Sequence, residues 1–74
     1  MKSDNVSMVE VVINGETTPL APGLTLAGWL ESIGRDARTV AIEHNGRIVP
    51  RGDYGATAIG AGDRLEVVHF VQGG

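Results

Sequence analysis

The chain contains no cysteine. That excludes a disulfide framework, a zinc–thiolate site and a cysteine nucleophile. Aromatic residues are scarce, with only Trp29, Tyr54 and Phe70, so valine, leucine and isoleucine must fill the core. Basic residues are also few. Lys2 and five scattered arginines give no patch of the kind that binds nucleic acid, and the net charge is −3. No apolar run approaches the roughly 20 residues that span a bilayer, so no membrane partner is expected. Residues 1–7 lack an apolar signal core, and the absence of cysteine suits a reducing compartment; a cytoplasmic location is expected. Without an export signal, Asn5-Val6-Ser7 is an incidental sequon. What is present is an ordinary globular balance, 42% apolar and 20% charged, in 74 residues. At this length there is one small domain.

Residues 1–7 are polar and read as a flexible lead-in, residues 8–71 as the domain, and residues 72–74 as a flexible tail. Met8–Ile13 is a Val-rich strand, with Val9, Val11 and Ile13 on one face. Asn14-Gly15 signals a hairpin. The strand Glu16–Leu20 returns, and Pro19 assigns it to an edge. Leu26, Trp29, Leu30 and Ile33 then recur on one face of a helix, with Thr25 as N-cap and Gly34 as the left-handed residue beyond its end. Gly28 inside this helix costs about 1 kcal/mol relative to alanine, which predicts close approach of a neighbouring element. Arg35–Thr39 reads as a polar linker. Val40–His44, the turn Asn45-Gly46 and Arg47–Val49 form a second hairpin, closed by Pro50. Arg51–Gly55 reads as an irregular turn with Tyr54 tucked against the sheet. Gly60-Ala61-Gly62-Asp63 is a tight turn before the last strand, Arg64–Val71. There Leu65, Val67, His69 and Val71 face one way, and Glu66, Val68 and Phe70 the other. Hairpin, helix, hairpin and final strand predict an α+β fold. A mixed sheet carries one helix across one face, in the β-grasp arrangement with first and last strands parallel at the centre.

Few side chains suggest chemistry. His44 and His69 lack the partners of a metal site, so no metal is expected. Asp53 and Asp63 sit beside glycines in turns, where aspartate bonds local backbone. Gly60-Ala61-Gly62 precedes a strand, so no helix N-terminus is available for a phosphate. Ser3, Ser7 and Ser32 have no base nearby in sequence. No catalytic residue is assigned.

The C-terminus differs. A patterned strand leads into Gln72, and Gly73-Gly74 follow. Two glycines add nothing to stability, since glycine loses the most entropy on ordering. A tail without side chains can enter a narrow channel, however, and Gln72–Gly74 reaches about 10 Å when extended. The reading is that the Gly74 carboxylate is the reactive group, carried by Gln72 and Gly73. By alternation Val68 and Phe70 lie on the sheet face away from the helix, next to the tail. With Glu66 they form the expected docking face for a partner.

From Val11 to Gly74 the sequence resembles the ubiquitin-like sulfur carrier proteins, and most closely the ThiS family of thiamin biosynthesis. The resemblance rests on Val12-Ile13-Asn14-Gly15-Glu16 and on Gly23-Leu24-Thr25-Leu26. It also rests on Val40 to Arg51, where the family favours Ala-Val-Asn-Gly-x-Ile-Val-Pro-Arg. The most specific block is Gly62-Asp63-Arg64-Leu65-Glu66 leading to the terminal Gly73-Gly74. Departures are His44 before the second turn, Tyr54 where tryptophan is common, Gln72 where a small residue is common, and the extra residues 1–7. The resemblance implies adenylation of Gly74 by an ATP-dependent activating enzyme, then replacement of AMP by sulfur from a donor such as a cysteine desulfurase. The resulting thiocarboxylate would supply a thiazole synthase. The chain would be a cosubstrate rather than an enzyme, with no permanent cofactor, and a monomer when free. The small subunit of molybdopterin synthase shares this chemistry, but its family tends to place prolines before the tail. A passive β-grasp interaction module is a third reading.

Overall fold

Two Asn-Gly pairs set the chain's hairpin reversals. Asn14 and Gly15 have φ of 51° and 83°, and Asn45 and Gly46 have 52° and 84°. Asparagine tolerates this left-handed region and glycine is unhindered there, so each pair closes a two-residue hairpin whose twist matches its strands. A computed structural model describes residues 7–70. The expected flexible lead-in over residues 1–6, end of the last strand at Val71, tail Gln72 and Gly73, and reactive Gly74 all lie outside the described residues.

The strands are β1 (Val9–Ile13), β2 (Glu16–Leu20), β3 (Val40–His44), β4 (Arg47–Ile48) and β5 (Arg64–His69). They form one five-stranded sheet in the order β2-β1-β5-β3-β4. β1 and β5 run parallel at its centre, and the other neighbours are antiparallel. With helix α1 (Leu26–Ser32) over one face, this is the α+β, β-grasp architecture expected. Among the described residues no helix is long and apolar enough to cross a membrane. Pro19 does lie in an edge strand, where its missing N–H removes no ladder bond to a further strand.

Helix α1 begins where Thr25 accepts the Gly28 N–H on its side-chain oxygen at 3.0 Å. It ends as Gly34, with φ of 73°, turns the chain away. The Gly34 N–H donates to Glu31 O and the Arg35 N–H to Leu30 O, which satisfies two carbonyls of the last turn. Leu26, Trp29 and Leu30 are buried against Val11, Leu20, Val40, Ile42, Leu65 and Val67 of the sheet, with Tyr54 and Ile59 closing the sides.

Several details depart from the sequence reading. Ile33 is exposed rather than part of the buried stripe, because it is the C-cap and the helix has already ended. Nothing from another element presses on Gly28. A Cβ there would meet Thr25 Oγ1 at 3.4 Å and Leu24 Cδ2 at 3.6 Å, both from the helix's own entry. Arg35–Thr39 is not simply a linker: Ala37–Thr39 form a 3₁₀ turn capped by Asp36, whose carboxylate accepts the Arg38 N–H. Arg51–Ala56 is likewise 3₁₀, and Tyr54 is buried as expected, with its hydroxyl 3.5 Å from Val40 O. β1 begins at Val9 rather than Met8, and β4 ends at Ile48, although the Val49 N–H still donates to Ile42 O. His69 is exposed, although alternation groups it with Leu65 and Val67. β1 has turned away at Asn14 by that level, so His69 has β3 on one edge and no described strand on the other.

Candidate functional site

β5 links the core to the C-terminal residues, and its two faces do different work. Leu65 and Val67 point under the helix and are buried, at 0% and 8% exposure. Glu66, Val68 and Phe70 are all exposed, with Val68 at 58% and Phe70 at 48%. Leaving two large apolar side chains in water on consecutive outward positions gives up the burial that drives folding. The register sets their neighbours. Val68 is opposite Ala41, Glu66 is opposite Glu43, and Glu43 is in turn opposite Ile48. These residues line a shallow depression of about 140 Å³ on the open face.

The sequence reading named Val68, Phe70 and Glu66 but missed Ile48, which is 77% exposed. Ile48 follows the Asn45-Gly46 turn at a position whose cross-strand partner is acidic, so the hairpin register alone could have placed it on the open face. Glu43 and Glu66 bring two like charges directly opposite each other, an arrangement that disfavours the isolated sheet. An apolar patch bordered by paired carboxylates suits a partner surface that is apolar with basic residues at its rim.

The start of β5 is tied down by the second hairpin. Asn45 Oδ1 accepts the Arg64 N–H at 2.8 Å, and the Asn45 backbone N–H donates to Arg64 O at 2.8 Å. Asp63 gathers three donors. Its Oδ2 accepts the Gly60 N–H at 2.8 Å and lies 2.8 Å from His44 Nε2, while Asn45 Nδ2 donates to Oδ1 at 3.2 Å. Read from sequence, His44 is a polar variation and Asp63 a turn residue. Turn chemistry is indeed present, but the structure also joins the two across 19 positions. Among the described residues no three acidic or imidazole side chains are placed to hold a metal.

Partial burial pushes the Asp63 carboxyl up, but the Gly60 N–H, His44 and Asn45 together hold it below its usual value. A carboxyl held low when folded contributes stability that is present above its unfolded pKa and lost as pH falls through the folded one. Asp36 is held at about 2, first by the Arg38 side chain, but that pair is exposed and salt screens it. Stability should therefore fall below about pH 4, and at high salt Asp63 should account for much of that fall. Asp63→Ala is expected to lose about 1–2 kcal/mol at neutral pH and to flatten the salt-resistant acid limb. Urea midpoints against pH at two salt concentrations check this; an unchanged acid limb would refute it.

A two-layer α+β domain with a parallel central strand pair and an exposed apolar patch beside its C-terminal end is a ubiquitin-like β-grasp module in class. The model of the ThiS family matches residues 10–74. The chain belongs to the ThiS family. A crystal structure of the thiamine biosynthesis protein ThiS from Geobacter metallireducens superposes with a TM-score of 0.75 at 28% identity. It covers 89% of this chain and all of that one. A solution structure of a thiamine biosynthesis protein from the same organism gives the same score, covering 88% of that chain. Thiazole synthases from Paramagnetospirillum magneticum and Magnetococcus marinus are each 41% identical over 66 residues, 89% of this chain. The chain spans only about a fifth of the length of these curated relatives, 20% in each case.

Proposed function

We propose that this protein is a sulfur-donating cosubstrate whose Gly74 carboxylate is converted to a thiocarboxylate. The observation that carries the reading is the apolar face of β5, which ends just before Gly73-Gly74 within the stretch that matches the family. A free carboxylate is a poor electrophile. Its oxygen attacks the α-phosphorus of ATP held by an activating enzyme, an acyl–phosphate bond forms and pyrophosphate leaves. A donor such as a cysteine desulfurase supplies persulfide sulfur, a thiol of a partner enzyme reduces it to the sulfide level while itself ending in a disulfide, and this sulfur attacks the acyl carbon. The carbon–sulfur bond forms and AMP departs with the former carboxylate oxygen, so the net change is one oxygen for one sulfur. Without cysteine the chain cannot trap its own activated end as an internal thioester. A thiazole synthase is the proposed recipient. Support comes from the two relatives of that name, in which a stretch like this chain occurs within a longer protein.

One thiocarboxylate preparation, divided between two reconstitutions, tests the recipient. Thiazole should form with a thiazole synthase, and no product should form with the large subunit of molybdopterin synthase. Product only in the second assay would reverse the assignment. No mass change with ATP, sulfide and several activating enzymes of the family would favour a passive interaction module.

Phe70→Asp tests the docking face. A charge placed in a desolvated contact is expected to weaken binding to the activating enzyme by about 1–3 kcal/mol, with little loss of stability because Phe70 is half exposed. Titration calorimetry together with a urea melt reads both. Unfolding of the variant would show that Phe70 is a core residue.

A further inference from the structure

The two Asn-Gly turns share a second property. In each, the asparagine side chain reaches across to β5 and bonds its backbone. Asn45 does so at Arg64, where β5 begins. Asn14 does so at Val67, beyond the point where β1 has ended. Val12 and Ile13 are the last residues of β1 in register with β5, opposite Arg64 and Leu65. The Asn14 N–H still donates to Leu65 O at 2.9 Å, and the backbone then turns away. Its carboxamide takes over the ladder. Oδ1 accepts the Val67 N–H at 2.7 Å, and Nδ2 donates to Val67 O at 3.2 Å. An amide side chain thus performs both functions of a backbone peptide group. After Val67 the strand is held, among the described residues, from the β3 side alone: Val68 is opposite Ala41, His69 is opposite Val40, and the Phe70 N–H donates to Thr39 O.

We propose that Asn14 is a positioning residue, whose carboxamide extends the β1 ladder along β5 and fixes the direction in which the chain leaves the sheet toward Gly74. This rests on the reading that Gly74 is the reacting end. Gly74 is seven residues past Val67, a reach of at most about 25 Å once a partner holds the tail extended, so a tilt of β5 by about 10° at Val67 then displaces a point at that distance by roughly 4 Å. Misplacement by about 1 Å can cost about a hundredfold in rate. Docking through Val68 and Phe70 does not require that bond.

The test uses the full chain carrying Asn14→Gly, which keeps the turn and removes both bonds. In the free protein, the heteronuclear NOEs of the Val68, His69 and Phe70 amides are expected to fall. With an activating enzyme of the family, the saturating rate of ATP–pyrophosphate exchange is expected to drop about tenfold or more, while the KM for the carrier stays within about twofold. A purely structural role would lower the melting temperature and leave the saturating rate intact; a full saturating rate overturns the proposal. Should Asn14→Gly fail to fold, Asn14→Asp serves. Aspartate tolerates the left-handed backbone and keeps the acceptor for Val67 N–H, but loses the donor to Val67 O. If the wild-type chain supports no exchange, the cosubstrate reading fails, whereas the NOEs still decide the role of Asn14: unchanged values overturn it.

Discussion

Removal of Gly74, or addition of one residue after it, is expected to abolish thiocarboxylate formation while leaving the melting transition where it was. The effect should be severe because either variant moves the terminal carboxylate by one residue, about 3.5 Å, away from where the partner's reacting groups would meet it. The chain has no thiol, and the proposed chemistry needs a carboxylate on a backbone slim enough to enter a confined site. The fold should be indifferent, because among the described residues every buried core residue falls between Val11 and Val67. Intact mass after incubation with ATP, activating enzyme and sulfide should show one oxygen-for-sulfur exchange in the wild type and none in either variant. Exchange persisting undiminished in the deleted chain would show that the chemistry does not depend on the position of the Gly74 carboxylate. Gly74→Ala is the graded version. It keeps the carboxylate and adds one methyl group, so a residual slow exchange would indicate how closely the partner's channel fits the tail.

Leu65→Ala should produce a loss of stability as large as any aliphatic truncation in the core. Leu65 is fully buried at 0% exposure, in register with Ile13 on one side and His44 on the other. Truncation removes several methyl and methylene groups, and rigid neighbours cannot close the gap, which costs about 2–5 kcal/mol. A domain of 74 residues has roughly 4–11 kcal/mol in total. The variant should therefore sit near the edge of folding, and at the upper end of the cost it should be partly unfolded without denaturant. Urea titration followed by the fluorescence of Trp29, which is buried on the helix's inner face, should show a lowered midpoint with a similar slope. Val68→Ala on the opposite face of the same strand should stay within about 0.5 kcal/mol of wild type. Equal losses at both positions would mean that the two faces of β5 are not distinguished as described.

How far the structure could be read from the chain depends on the range of the signal. Asn14-Gly15, Asn45-Gly46, Pro19 and the Thr25 cap are local instructions, each satisfied within a few residues. All four stand where the sequence placed them. The faces of β5 were also legible, because a period of two needs no knowledge of the partner strands. The misreadings arose where a local pattern met a tertiary boundary. Ile33 continues the apolar helical spacing, but Gly34 stops the helix first. His69 continues the strand spacing, but β1 no longer lies beside it. What stayed hidden was long-range. The pairing of His44 with Asp63 and the grip of Asn14 on Val67 join residues 19 and 53 positions apart. No spacing rule reports such contacts. Ile48 lies between these cases, since its exposure followed from the hairpin register once Glu43 was read as outward.

The outer margins of the sheet bear on how the molecule behaves in a crowd. One margin is β2, whose Pro19 cannot donate a hydrogen bond to an arriving strand; the other is β4, only two residues long. Fibril growth needs an uninterrupted row of backbone donors and acceptors on which the next chain can settle. Neither margin supplies one. A domain that leaves Ile48, Val68 and Phe70 exposed is thereby hindered from adding copies of itself, strand upon strand, as its concentration rises.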